Sequence, residues 1–254
     1  MLAATILSGA LIGLVLGLVG GGGSILAVPL LVHVVGVGSA HAAIGTAAVA
    51  VAANALAGLI GHARTGTVKW RCGALFAVAG VAGAAAGAEL GKAMDGQRLL
   101  LLFGLLMIAI GLSMFRKRRG VEQPDVRLSR ATARHLVPRL VPAGLAVGLA
   151  SGFFGIGGGF LIVPALIAAT RMPLSYAAGT SLVVVSALGA TTAGSYALSG
   201  YVDWRIAGLM LLGGIGGAVA GIAIGKRMAA RKGLLEKLFA IVVIAVGLYV
   251  ILAR

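Results

Sequence analysis

The chain has 254 residues, of which 60% are hydrophobic and only 11% are charged, and its mean hydropathy is +1.09. A soluble domain needs roughly a quarter of its residues charged to cover its surface, so this composition excludes an ordinary soluble protein. The net charge of +15 comes from Lys and Arg in short loops between apolar runs, which argues against nucleic-acid binding. We therefore predict an all-α polytopic membrane protein that has the lipid bilayer as its surroundings.

Apolar runs follow one another along the whole chain, separated by charged or turn residues. They lie at about Leu2 to Val19, Ser24 to Val37, Ala40 to Ile60, Cys72 to Leu90, Leu99 to Phe115, Leu140 to Phe154, Phe160 to Ala169, Ser175 to Leu198, Ile206 to Ile224 and Leu235 to Ala253. We interpret them as helices or half-helices, about 8 to 10 segments in all, because one full crossing needs about 20 apolar residues. Between the fifth and sixth runs lies a basic linker, in which Pro124 and Pro138 are expected to break helices.

The second half of the chain repeats the first. Pro29 and Pro164 are 135 residues apart. A Gly-Thr dipeptide and a Trp-Arg dipeptide each recur at a spacing of 134, so that Thr46 corresponds to Thr180. Self-similarity at a fixed spacing indicates duplicated structural units. We divide the chain into a first transmembrane repeat (1–115), a basic linker (116–139) and a second transmembrane repeat (140–254).

The distribution of basic residues predicts that the two repeats are inverted in the membrane. If each repeat is a Gly-broken hairpin followed by three crossings, the inside holds all Lys and Arg residues except Lys92, Arg98, Arg205 and Arg254. A parallel arrangement spreads the basic residues more evenly over both sides, against the tendency of Lys and Arg to lie in cytoplasmic loops. This arrangement places the linker in the cytoplasm and both termini outside. Two full crossings for each broken pair would give the same sidedness.

Two glycine-rich stretches are the candidate binding site. Residues 20–24 read Gly-Gly-Gly-Gly-Ser and residues 155–159 read Gly-Ile-Gly-Gly-Gly, and each stretch leads into an apolar run that contains Val-Pro. Consecutive glycines break a helix, and a break at membrane depth is tolerated where it is buried in protein or lines a cavity. We expect half-helices to begin near Ser24 and Phe160, with first-turn N–H groups that suit an anion. Close helix packing is the alternative explanation for glycines of this kind.

Polar residues on the following helices supply further candidates. The predicted substrate-binding residues are Gly21, Gly22, Gly23, Ser24, Thr46, Asn54, Gly157, Gly158, Gly159, Thr180 and Ser181. Asn54 is the strongest of them, because lipid offers its amide no partner. Each hydroxyl could instead donate to a carbonyl of its own helix.

Several other kinds of function are disfavoured by what the chain lacks. No HExxH or paired-histidine motif is present, so we predict no metal site and no cofactor. No carboxylate lies in the middle of a run: Glu89 is near the end of one, with Lys92 positioned to pair with it, which argues against an intramembrane proton relay. No nucleophile and base occur together at membrane depth, and we predict no catalytic residue and no enzyme activity.

These motifs resemble the TauE/SafE family of bacterial membrane proteins over nearly the whole chain. The resemblance rests on the doubled Gly-rich stretch ending in Val-Pro, the following Gly-Thr, and the Trp after a Gly-containing loop. It implies a multi-pass permease of the bacterial inner membrane for sulfite, an organosulfonate or a related small anion. Ser24 departs from the symmetry, because the second copy has Gly159 at that position.

We therefore predict a secondary transporter, acting as an exporter, that binds its anion between the two Gly-rich half-helix starts. The alternatives left open are a passive anion channel and a permease for small carboxylates. Assembly into a homo-oligomer is also left open.

Overall fold

The computed structural model describes residues 2–114, 123, 125–154, 159–227 and 232–252, and within these ranges all regular structure is helical. The α-helices are α1 Leu2–Val19, α2 Ala27–Leu30, α3 Ala40–Arg64, α4 Trp70–Lys92, α5 Gly96–Met114, α6 Arg130–Phe154, α7 Gly159–Thr170, α8 Leu174–Leu198, α9 Trp204–Arg227 and α10 Lys232–Leu252. By length and composition α3, α4, α5, α6, α8 and α9 can each cross a membrane. The expectation of an all-α polytopic membrane protein is confirmed.

The first helix is followed by a sharp reversal of the chain. α1 ends at Val19 as predicted, and Gly20 has a φ of 75°, a left-handed conformation that glycine adopts without strain. A 3₁₀ helix, Gly20–Leu26, then leads through α2 into a π-helical turn, Leu31–Val35. Gly23 packs closely against Ile12 and Leu16 of α1, so this segment folds back on the helix before it. The predicted start near Ser24 is wrong: one left-handed residue makes the reversal, and helical structure resumes at Gly20.

The sixth helix begins earlier than the apolar pattern indicated. We expected it to start at Leu140, after a linker broken by Pro138, but α6 starts at Arg130 and contains Pro138 in its interior. A proline in a helix leaves the carbonyl four residues earlier without its usual N–H donor. That carbonyl belongs to Arg134, which is exposed, as is Pro138 itself, so water can take the place of the missing donor.

Helices from the two halves pack in parallel pairs. α1 runs alongside α9, and α4 alongside α6, with glycines at the contacts. A methyl group on Gly13 would collide with the backbone of Gly214, and one on Gly148 would collide with the backbone of Gly80. Gly13 and Gly148 are repeat equivalents, as are Gly80 and Gly214, so the same contact is made twice with the roles of the halves exchanged.

Equivalent helices of the two halves cross each other antiparallel. In the α3–α8 pair, Gly45 lies against Tyr196 and Gly58 lies against Leu182, so residue numbers rise in opposite directions. α5 and α10 cross in the same antiparallel way. The middle of the α3–α8 crossing lies close to Asn54 and to its repeat equivalent, Leu188. The helix pairs that hold the molecule together therefore join one half to the other.

Candidate functional site

The two glycine-rich stretches meet at the interface between the halves. Gly21 and Gly159 touch backbone to backbone, so closely that a methyl group on either would overlap the other. The Gly21 N–H donates a hydrogen bond of 3.0 Å to Ser181 Oγ of α8, and Val185 of the same helix also lies against Gly21. Three of the predicted site residues, which are far apart in sequence, are thus in direct contact. We call this group, together with Ser24, the glycine junction.

The two serines of the glycine junction are fully buried, and both hydroxyls are engaged. Ser24 Oγ donates to the Gly21 carbonyl at 2.9 Å, and Ser181 Oγ donates to the Ala178 carbonyl at 2.7 Å while it accepts from Gly21. The N–H of Gly21 belongs to the first turn of the 3₁₀ helix, where no intrahelical acceptor exists. Ser181 therefore supplies, from the opposite half, the acceptor that this helix start lacks.

Thr46 and Thr180 do not belong to the glycine junction. Thr46 Oγ1 accepts from the Asp203 N–H at 3.0 Å, and Thr180 Oγ1 accepts from the Lys69 N–H at 2.9 Å. These two bonds are repeat equivalents, and each ties a helix of one half to a loop of the other. Because α3 and α8 are antiparallel, the two threonines lie on opposite sides of the crossing, roughly 20 Å apart at 1.5 Å per residue. In this conformation they join the halves at opposite ends of the molecule.

Asn54 lies at the α3–α8 crossing, where it faces α9. Its side chain is fully buried and packs against Gly214, on which a methyl group would collide with the amide. Its Nδ2 donates to the Met210 carbonyl at 3.5 Å, the long limit of a hydrogen bond, and its Oδ1 accepts from none of the described residues. The second half has Leu188 at the equivalent position, where it packs on Gly80. Asn54 is thus a buried amide with unused hydrogen-bonding capacity.

The other predicted residues are located as follows. Gly22 and Gly23 belong to the 3₁₀ helix that starts at Gly20, and Gly23 faces α1. Gly157 and Gly158 lie outside the described residues. The expected pairing of Glu89 with Lys92 is confirmed by a contact of 2.8 Å between Oε1 and Nζ.

Some properties of the buried polar groups could not be read from the sequence. The sequence does not predict that Asp203 and Lys69 are the partners of the threonines, because backbone N–H groups make those bonds. Ser151 and Tyr196 are fully buried, and their hydroxyls make no hydrogen bond within the described part of the chain. Ser151 lies in a run of small residues on α6 whose pattern resembles ordinary helix packing, so nothing in the sequence marks it.

Comparison with known proteins identifies the family to which this architecture belongs. The family model described as "Sulfite exporter TauE/SafE" matches residues 5–250, which include all the described helices in whole or in large part. The chain belongs to the TauE/SafE family. The resemblance inferred from the glycine and Gly-Thr motifs is therefore confirmed, and the chain is a multi-pass membrane protein of a transporter family.

Relatives of this TauE/SafE chain occur in bacteria and archaea. A "Probable membrane transporter protein" of Xylella fastidiosa (strain 9a5c) is 51% identical over 247 residues, which are 97% of this chain and 94% of the relative. The probable membrane transporter protein YunE of Bacillus subtilis is 27% identical, over 94% of this chain and 93% of its own. The probable membrane transporter protein MJ0441 of Methanocaldococcus jannaschii is also 27% identical, over 89% and 87%. No solved structure matches the chain.

Proposed function

We propose that this chain exports a small sulfur-containing oxyanion, such as sulfite or an organosulfonate, and binds it at the glycine junction. The observation that carries the proposal is the direct contact of Gly21, Gly159 and Ser181, which joins both halves of the protein at one buried point. The description of the family model names sulfite, and the names of the relatives specify transport without a substrate.

The chemistry of the glycine junction favours an anion. The start of a helix has N–H groups without intrahelical acceptors and carries about half a positive charge. Among the described residues, the buried polar side chains are hydroxyls and one amide, with no carboxylate among them. An oxyanion would take the place of Ser181 Oγ as acceptor for Gly21, and the released hydroxyls would donate to its other oxygens.

Binding at the glycine junction requires a conformational change. Gly21 and Gly159 touch, and Ser24 and Ser181 are inaccessible to solvent, so this conformation is closed at that point. We propose that the halves form an inverted repeat and that rocking one half against the other separates the two glycines. The antiparallel crossing of α3 with α8, and the contacts made twice between equivalent glycines, support this proposal.

The proposed orientation places the linker in the cytoplasm of a bacterial cell and both termini outside. Contacts support the grouping of residues by side, because residues assigned to the same side touch: Arg71 donates to the Leu128 carbonyl at 3.4 Å, and Lys92 donates to Ser199 at 3.0 Å. The excess of Lys and Arg on the linker side supports its assignment to the cytoplasm. In this orientation an inside-negative potential drives an anion outward. The gain is about 2.3 kcal/mol per charge per 100 mV, which corresponds to roughly a fiftyfold gradient.

The proposal is tested by the flux of labelled sulfite from loaded proteoliposomes under a clamped potential. We expect wild-type flux to saturate and to be competed by unlabelled substrate. Ser181→Ala should reduce the flux at least tenfold, because it removes a hydroxyl that donates to the bound anion. The matched control is Ser186→Ala on the same helix. Among the described residues its hydroxyl bonds to the Leu182 carbonyl of its own helix, at 2.7 Å, and it should be dispensable.

Three results would contradict the proposal. Equal flux in wild type and Ser181→Ala would remove the glycine junction as the site. Flux that rises linearly with concentration, without exchange of labelled for unlabelled anion, would indicate a channel. Saturable flux of a carboxylate without flux of sulfite, taurine or sulfoacetate would show that the protein is a carrier whose substrate is not a sulfur-containing anion.

A further inference from the structure

A cluster of basic residues, outside the glycine junction, lines a cavity of about 510 Å³. The cavity lies where the loop between α3 and α4 meets the segment that leads into α6. Its lining includes three basic residues, Lys69, Arg71 and Arg127, together with Ser129, and no acidic residue. A volume of this size is within the range of ordinary small-ligand pockets, about 300–1,000 Å³.

Two of the three basic residues of the cavity, Arg71 and Lys69, make described side-chain contacts. Because α4 and α6 pack in parallel, both helices start at this end of the molecule. Arg71 Nη1 donates to the Leu128 carbonyl at 3.4 Å, which fixes the segment before α6 against α4. The Lys69 ammonium lies 4.4 Å from the centre of the Tyr176 ring, within the range of a cation–π contact. The cavity is therefore built from the start of α4 and the end of the linker, which contact each other.

The repeat shows what the start of α4 lacks. In α9, the Asp203 carboxylate accepts hydrogen bonds of 3.0 Å from the N–H groups of Arg205 and Ile206, which caps that helix. The equivalent residue before α4 is Lys69, whose side chain makes no capping hydrogen bond. The cavity thus adjoins the start of α4, where Lys69 stands at the position that Asp203 has before α9.

We propose that this cavity binds the phosphate group of an anionic phospholipid, which takes the place that the Asp203 carboxylate has at α9. The phosphate would accept from the N–H groups of Arg71 and Cys72, the equivalents of the groups that Asp203 caps, and would pair with Arg71 and Arg127. Lipid is the occupant because the cavity lies at the end of a membrane-spanning helix whose surface is open to the bilayer. Trp70, which lines the cavity, is 53% exposed, and Val78, two turns further along α4, is 73% exposed. In the orientation proposed above, this is the cytoplasmic leaflet, where anionic headgroups attract basic pockets.

The test is native mass spectrometry of the full chain in a nonionic detergent, with equimolar phosphatidylglycerol and phosphatidylcholine added. We expect the wild type to retain phosphatidylglycerol preferentially. Arg71→Gln and Arg127→Gln should each lower that retention about fivefold, which corresponds to the loss of one basic group at a membrane surface. The matched control is Arg205→Gln, the repeat equivalent of Arg71, which should retain phosphatidylglycerol as the wild type does.

A second variant separates lipid binding from folding. Lys69→Asp introduces the carboxylate cap that α9 has, so it should abolish the preference for phosphatidylglycerol while the melting temperature in lipid-free detergent stays at or above the wild-type value. Equal retention of the two lipids by the wild type, or the same loss in Arg205→Gln, would overturn the proposal. Displacement of phosphatidylglycerol by millimolar inorganic phosphate would overturn the assignment of the cavity to a lipid and indicate a site for a soluble phosphate. Lipid binding is read here without any transport measurement, so it stands or falls separately from sulfite export.

Discussion

Replacing Asn54 with leucine should make the protein more stable and at the same time inactive. The amide oxygen of Asn54 is fully buried and accepts from none of the described residues, and such an unsatisfied group costs about 1–3 kcal/mol. The substitution loses one long hydrogen bond to Met210, and interhelical bonds of this kind in membranes average about 0.6 kcal/mol. Leucine already occupies the equivalent position as Leu188, where it packs on a glycine equivalent to Gly214. The expected net effect of Asn54→Leu is a gain of about 1 kcal/mol.

The stability of Asn54→Leu is measured by reversible unfolding in SDS, followed by tryptophan fluorescence, and its activity by sulfite flux. The matched control is Leu188→Asn, which puts a second amide at the crossing without a described acceptor and should destabilise the protein by about 1–3 kcal/mol. A loss of stability in Asn54→Leu would refute the reasoning, because it would mean that the amide is satisfied in the native protein. Full transport by a more stable Asn54→Leu would remove Asn54 from the substrate path.

Two further predictions concern the frame that joins the halves. Thr46→Val and Thr180→Val should each lower the free energy of unfolding by a similar amount, about 1–2 kcal/mol, because each removes an equivalent bond to a loop N–H. SDS unfolding of the two single variants and the double variant should show additive losses of stability. Strongly unequal losses in the two single variants would contradict the equivalence of the two bonds. Gly148→Ala should disrupt the α4–α6 contact and reduce the yield of monodisperse protein. Gly208→Ala on α9, where a methyl group meets no other atom within 4 Å, should be neutral or stabilise the protein by up to about 1 kcal/mol. Equal yields from the two variants would argue against the close backbone contact between α4 and α6.

Local chemistry predicted most of the helices, and the exceptions have physical causes. α1 ends at the residue where the glycines begin, as expected from helix propensity. The start of the next segment at Gly20 depends on one residue with a φ of 75°, and a run of four glycines does not show which of them adopts it. The sequence predicts a helix break at Pro138 because proline lacks an N–H, but on an exposed helix face water can replace the missing donor.

The sequence predicted only those features of the candidate site that recur in both repeats. The doubled glycine stretch indicated that two distant segments act together, and Gly21 does contact Gly159. The equally doubled Gly-Thr motif led to the expectation that Thr46 and Thr180 bind substrate, a prediction that the structure leaves untested. Both accept from backbone N–H groups, and a hydroxyl repeated for that purpose has the same sequence pattern as one repeated for a ligand.

If the halves exchange conformations as proposed above, the differences between them decide which conformation is preferred. The glycine contacts and the threonine bonds are made twice, so exchanging the conformations of the two halves would leave their energy almost unchanged. Two polar residues of the core are not repeated: Ser181 corresponds to Ala47, and Asn54 corresponds to Leu188. In the closed conformation the Gly21 N–H bonds to Ser181, whereas the exchanged conformation would offer alanine at that position. In the rocking mechanism proposed above, the bond between Gly21 and Ser181 would therefore favour the closed conformation without substrate by about 1 kcal/mol. An anion that satisfies the same N–H would remove this preference, since a ligand shifts an equilibrium only by its differential affinity for the two states.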